Sequence, residues 1–214
     1  MATILDFPST IVPESIDFRL VYVSQAYASP FGGTTQTSEV PGARWMAKLN
    51  FSNLQQDEMR QLASFLISLR GMSGRFTMYD FSLPNPQAVL DGSVVSITNP
   101  TIDNSGFTPT RTQFEVGSGE ATNLREGDYV SVIPNPVGGT TYANSYRELK
   151  IITDITGDRL TVEPPFRVIP TGGETITVNN AKAVFMLDTD DQGGWSASTS
   201  IALSNMTISC MEAF

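Results

Sequence analysis

The chain has 214 residues, 40% of them hydrophobic, which is enough for one large domain or two small ones with a real core. Only 16% are charged and the net charge is −9, so a phosphate backbone is repelled and nucleic acid is excluded as a specific ligand. With no histidine and a single cysteine there is no Ser-His-Asp triad, no Cys-His pair, no histidine or thiolate zinc site and no intrachain disulfide.

The first eight residues, MATILDFP, carry no basic region, which predicts no signal peptide, and no apolar run reaches the roughly 18 residues of a membrane span. From Ser15 to Val23 the residues Ile16, Phe18, Leu20 and Tyr22 alternate with Asp17, Arg19 and Val21, a strand with period two. Next comes "ASPFGGTTQTSEVPGARW", Ala28–Trp45, rich in Gly, Ser and Thr and holding one acid before Arg44. It has no lysine and no helix behind it, so it is a poor phosphate cradle. Ser29, Phe31, Gly32, Gly33, Thr34, Thr35, Gln36 and Thr37 are expected to form an uncharged loop that pairs edge to edge with another chain.

Alternation resumes at Ala43–Phe51, with Trp45, Ala47, Leu49 and Phe51 on one side. The period then changes. "NLQQDEMRQLASFLISLRG" predicts a helix over about 54–70, with Asn53 as cap, Gln56 three residues on and Asp57 and Glu58 in the first turn. Met59, Leu62, Ala63, Leu66 and Leu69 form its apolar stripe, and Gly71 follows its end. Phe65 and Ile67 fall off the stripe and need cover from a sheet or a neighbouring subunit. In "RFTMYDF", Phe76, Met78 and Phe81 point inward, and Pro84 and Pro86 end that strand.

From residue 88 to 180 the texture becomes short Val/Ile/Thr runs between turn residues. Strands are expected at Val94–Ile97, Gln113–Val116, Tyr129–Ile133, Leu149–Thr153, Arg159–Val162 and Thr175–Val178, with tight turns at Gly127-Asp128 and Gly157-Asp158. Six such strands predict a small β-barrel. "AVFML" at 183–187 and the alternating Ile201, Leu203, Met206, Ile208 and Cys210 restore the first texture, with a register slip near Ser204–Asn205. The expected architecture is mainly β: residues 1–87 with 181–214 form a β domain bearing one helix, and 88–180 form an inserted small barrel. Cys210 reads as a buried, inert thiol.

The chemical-looking clusters are weak. In "DTDDQGG", Asp188, Asp190, Gln192 and Gly193 match positions 1, 3, 5 and 6 of a calcium loop, but Thr199 stands where a bidentate Glu is required. An acidic turn before Trp195 is the plainer reading. Asp128, Asp154, Asp158 and Glu163 could supply a glycosidase pair, although Asp128 and Asp158 sit in turns that favour Asp anyway. The residues therefore predict no catalytic, cofactor or metal site.

Taken together, "SPFGGTTQ", "ARWMAKLNF", "FLISLRGMSGRFTMYDF", "LREGDYVSV", "RLTVEPPFR" and the terminal "MEAF" resemble the distal tail and related minor tail proteins of long-tailed bacteriophages. The resemblance spans most of the chain. It implies a β-sandwich-like, tube-forming domain with one helix and a peripheral OB-like barrel. It also implies a virion location in a tail-tip ring, commonly a hexamer, that joins the tail tube to the hub, the baseplate and receptor-binding proteins. Such a ring needs heterologous contacts that close, and an acidic lumen would let DNA slide without sticking. The alternative is a carbohydrate-binding β module that stacks host-surface glycan on Tyr129, Tyr142 or Tyr146; a cell-wall glycan hydrolase is a third reading.

Overall fold

The computed structural model describes residues 4–30, 32–134, 146–198 and 203–213. The protein is mainly β, with two sheets among the described residues. The first has seven strands: β1 (Ile4–Asp6), β2 (Ser15–Ala28), β3 (Thr35–Leu54), β4 (Arg75–Tyr79), β10 (Lys182–Leu187), β11 (Trp195–Ser198) and β12 (Leu203–Glu212). Its order is β1-β4-β10-β12-β3-β2, with β11 added on β12. Both ends of the chain thus build this sheet, and β1 alone runs parallel to its neighbour. The second sheet, β5 (Gln113–Glu115), β6 (Tyr129–Val132), β7 (Glu148–Thr156), β8 (Arg159–Glu163) and β9 (Ile176–Thr177), has order β5-β8-β7-β6-β9 and is antiparallel.

Helix α1 (Gln56–Leu69) ends in a left-handed Arg70 and a single 3-10 turn, Gly71–Ser73. Its cap is Gln55, whose N–H donates to Glu58 Oε2 at 2.9 Å. Asn53, expected as the cap, is still part of β3, and its N–H donates to Asn205 Oδ1 at 3.0 Å. The capping-box logic holds, shifted by two residues, because cross-strand pairing carries β3 to Leu54. Gly74 closes the turn at a point where a Cβ would stand 2.3 Å from the Leu69 carbonyl oxygen, so only glycine fits there.

Alternation places Trp45, Ala47, Leu49, Phe51, Phe76, Met78, Phe185, Met206, Ile208 and Cys210 on the buried face of the first sheet. Asp17, Arg19 and Lys48 stay on the opposite, solvent face, as antiparallel sheets permit. α1 covers one end of the buried face with Leu62, Phe65, Leu66 and Leu69, and the second sheet covers the other. Aromatic rings link the two covers. Tyr129 packs edge-on against Trp45, Trp45 stacks on Phe18, and Phe18, Phe185, Phe76 and Phe65 follow with ring centres 5.2–6.2 Å apart. Phe65 therefore gains the cover it needed, whereas Ile67 is left 72% exposed.

Four expectations need correction. The first region is not a sandwich of two packed sheets; it is one sheet whose inner face is covered by α1 and by the second sheet. The 88–180 region is a five-stranded sheet and not a barrel: its edge strands β5 and β9 do not pair with each other, and the Thr101–Asp103 segment lies between their ends, bridging to Thr175 and Val116. Val94–Ile97 is not a strand. Val95 is exposed and 94–97 are irregular, while a short second helix, α2 (Gln87–Leu90), lies before them, so the single-helix expectation also fails. The slip expected near Ser204–Asn205 is present as a register shift between Ser204 and Met206. Ile201 and Thr199 lie outside the described residues. No described helix is long and apolar enough to cross a membrane.

Candidate functional site

The stretch expected as a free loop is the outer half of a long hairpin. β2 and β3 pair from Ser15↔Asn50 outward. A bulge lies where Val21↔Arg44 gives way to Val23↔Val40, so β3 carries two extra residues around Gly42, whose φ is 149°. Beyond the bulge six consecutive pairs run from Val23↔Val40 to Ala28↔Thr35. At about 3.3 Å per residue this makes an arm of roughly 20 Å. The tip turns through a left-handed Gly33 (φ 65°), with the Ser29 N–H donating to the Thr34 carbonyl at 2.9 Å.

Of the residues marked from sequence, Thr35, Gln36 and Thr37 are therefore strand, opposite Ala28, Tyr27 and Ala26. Ser29, Gly32, Gly33 and Thr34 form the turn, and Phe31 lies outside the described residues. The misreading has a local cause: Gly, Pro and Thr in that density signal a loop, while the pairing that makes it a strand is supplied by β2. From Tyr22 to Ala28 and from Thr35 to Glu39 every residue is exposed, on both faces of the ribbon. Tyr22 and Tyr27 are 50% and 61% exposed. Glu39 is the arm's only charged residue. β2 is also the sheet's edge, pairing with β3 alone among the described strands.

The arm's root meets a second feature that sequence reasoning missed. Where the second sheet covers Trp45, the joint is held by polar bonds: Trp45 Nε1 donates to the Leu149 carbonyl at 2.9 Å, and Ser131 Oγ donates to the Lys182 carbonyl at 2.6 Å. Charged groups are buried beside them. Lys150 Nζ lies 2.7 Å from Glu148 Oε2, donates to the Pro165 carbonyl and sits 5.1 Å from the Phe166 ring centre. Glu148 also accepts the Arg167 N–H at 3.1 Å. Glu212, only 1% exposed, accepts the Trp45 backbone N–H at 3.2 Å. Burial pushes its carboxyl up to about 7, against the opposing pull of Lys150 and the Trp45 N–H. A cleft of about 420 Å³ opens here, with Glu39, Gly42 and Ala43 of the arm's root on one side and Arg111, Lys150 and Phe166 on the other. One signal was available: Glu212 continues the inward row of Met206, Ile208 and Cys210, a carboxylate at a core position.

Of the remaining sequence candidates, Glu163 ends β8 opposite Ile151, and several others make hydrogen bonds within the fold. Asp128 accepts the N–H groups of Gln87 and Arg125, each at 2.8 Å, and so ties α2 to its own turn. Asp158 accepts the Gly119 N–H, and Asp154 accepts the Thr156 hydroxyl. Asp190 Oδ1 accepts the Met72 N–H at 2.8 Å, and Gln192 Oε1 accepts the Ser209 N–H at 3.1 Å. Two of the calcium-loop positions thus aim at different backbone partners. Among the described residues no three His, Cys, Asp or Glu stand together as a metal set. The Cys210 thiol is buried, donates to the Ala47 carbonyl, and is pushed above its ordinary value by burial. Tyr129 packs against Trp45 and Phe18, Tyr146 is only partly exposed beside Glu148, and Tyr142 lies outside the described residues. Comparison with protein-family models and with curated proteins finds no match.

Proposed function

We propose that the protein is a non-catalytic structural component of a bacteriophage tail tip, a ring subunit that binds copies of itself and links the tail tube to the hub, the baseplate and receptor-binding proteins. The observation that carries this reading is the hairpin arm. A two-stranded ribbon is marginal in water by itself, and beyond the bulge this one is exposed on both faces from Val23 to Ala28 and from Thr35 to Glu39. Its outer backbone edge has no partner among the described strands, and its faces, which carry Glu39 as their one charged residue, can be covered by another subunit with little charge desolvation. The sequence resemblance to distal tail proteins supplies the context. In this reading the seven-stranded sheet is the ring-forming unit and the five-stranded sheet a peripheral module; an OB-like kinship of that module rests on the resemblance alone. The glycan-binding alternative has less support, because Tyr129 is turned inward and Tyr146 is partly buried beside Glu148.

The test is the assembly itself. Size-exclusion chromatography with light scattering should give a mass near six times 23.2 kDa, and electron microscopy should show rings with a central hole. Thr35→Lys with Thr37→Lys places two like charges on one face of every arm. The monomer's circular dichroism spectrum should survive, and the ring should not. A wild-type monomer at high concentration would defeat the ring reading; intact rings from the double variant would show that the arm does not carry assembly.

A further inference from the structure

The joint between the two sheets contains more charge than its architecture needs. Glu212 on β12 is faced from β3 by the Trp45 N–H, from β7 by Glu148 and Lys150, and from the neighbouring segments by Tyr146 and Arg167, with Arg44 acting on Arg167. Glu39 and Arg111 stand at the mouth of the adjoining cleft. The best cation is already committed: Lys150 is bonded to Glu148, to the Pro165 carbonyl and over Phe166. Glu212 is close enough to Glu148 to be repelled by it, and it shares with it the attraction of Lys150 and Arg167. An ionised Glu212 is thus a buried carboxylate that shares its cations with Glu148, which is costly in the closed joint and cheap once water enters. The cleft gives water that route.

We propose that this joint is a proton-operated latch: Glu212 holds a proton while the second sheet is closed on Trp45, and loss of that proton to solvent favours opening of the sheet from the Trp45 end. This device does not depend on the tail-tip reading. The sign follows from linkage. The closed joint binds the Glu212 proton more tightly than an open, solvated one, so closure is favoured at low pH and weakens as pH rises. With an ordinary value of 4.5 for the open carboxyl and about 7 for the closed one, the open-to-closed ratio should rise about ten-fold between pH 6 and pH 8.5.

Hydrogen exchange of the Trp45 indole N–H reads the joint directly, since that proton is donated across it to Leu149. Trp195→Phe leaves Trp45 as the only indole signal. Exchange should be expressed relative to the intrinsic rate at each pH, with the Phe76 and Phe185 amides as references in the sheet. The expected result is a roughly ten-fold fall in Trp45 protection from pH 6 to pH 8.5, unchanged references, and no fall in Glu212→Gln. A wild-type protection independent of pH, or the same fall in Glu212→Gln, overturns the latch. Should that variant not fold, carbon NMR titration of the wild-type Glu212 carboxyl decides: a midpoint between pH 6 and 8 together with the wild-type exchange fall supports it, and a midpoint near 4.5 overturns it.

Discussion

The two halves of the β2–β3 hairpin share one hydrogen-bond ladder and differ in everything else. The inner half pairs Ile16 with Leu49, Phe18 with Ala47 and Leu20 with Trp45, and its β3 side chains are buried under α1 and the second sheet. The outer half pairs Ser24 with Glu39 and Tyr27 with Gln36 and is exposed on both faces. Backbone pairing is therefore not what separates a core element from an arm. The separation comes from apolar cover, and the bulge at Val21–Val23 marks where it ends. An inner strand is stabilised within the subunit; an outer one has its stabilising partner elsewhere.

That contrast can be broken by substitution. The largest expected effect is in the inner half: Leu49→Ala, at a fully buried position, should cost about 2–5 kcal/mol by denaturant titration. Leu66→Ala on α1, which covers the same face, should fall in the same range, and a loss below about 0.5 kcal/mol for either would mean that the face is not sealed.

The joint at the arm's root should respond to pH. Glu212 is raised from 4.5 to about 7, an acid that holds its proton more tightly in the folded state. Its contribution favours folding below about pH 4.5, declines through the interval from 4.5 to 7, and is flat above it. The decline amounts to about 3 kcal/mol. Urea titrations across this interval should show it in the wild type and not in Glu212→Gln; parallel curves for the two proteins would contradict the assignment.

Next in size is Gly74→Ala, which forces a Cβ into the Leu69 carbonyl and should cost about 1–3 kcal/mol by distorting the turn that seats α1. The smallest effect belongs to the arm. Tyr27→Ala and Thr37→Ala should change monomer stability by less than about 0.5 kcal/mol, as for other uncovered positions. A cost of 2 kcal/mol in a monomer would show that the arm is covered within its own subunit and erase the contrast between the halves.

Much of the core was legible because its signals are periodic and local. Trp45 to Phe51 alternate, and Leu62, Leu66 and Leu69 recur at helical spacing; a chain with those periods can bury its apolar side in only one way. The failures occurred where local preference and tertiary pairing compete. Asn53 is a better cap by type than Gln55, yet pairing with β12 carries β3 past it. Val94–Ile97 has strand-like residues but pairs with none of the described strands, and a β-segment without a ladder partner has nothing to stabilise it.

The sequence by itself determined which residues must leave water, through the alternating faces, the helix stripe and the slip at Ser204–Asn205. Tertiary structure alone decided what covers them. It set a second sheet, rather than a sandwich partner, over Trp45, enclosed Glu212 beside Lys150, and left the Thr35–Glu39 ribbon bare. The physical reason is range. Periodicity is fixed by the dihedral geometry of neighbouring residues, whereas cover depends on contacts between segments a hundred or more residues apart, such as Trp45 with Leu149 and with Glu212.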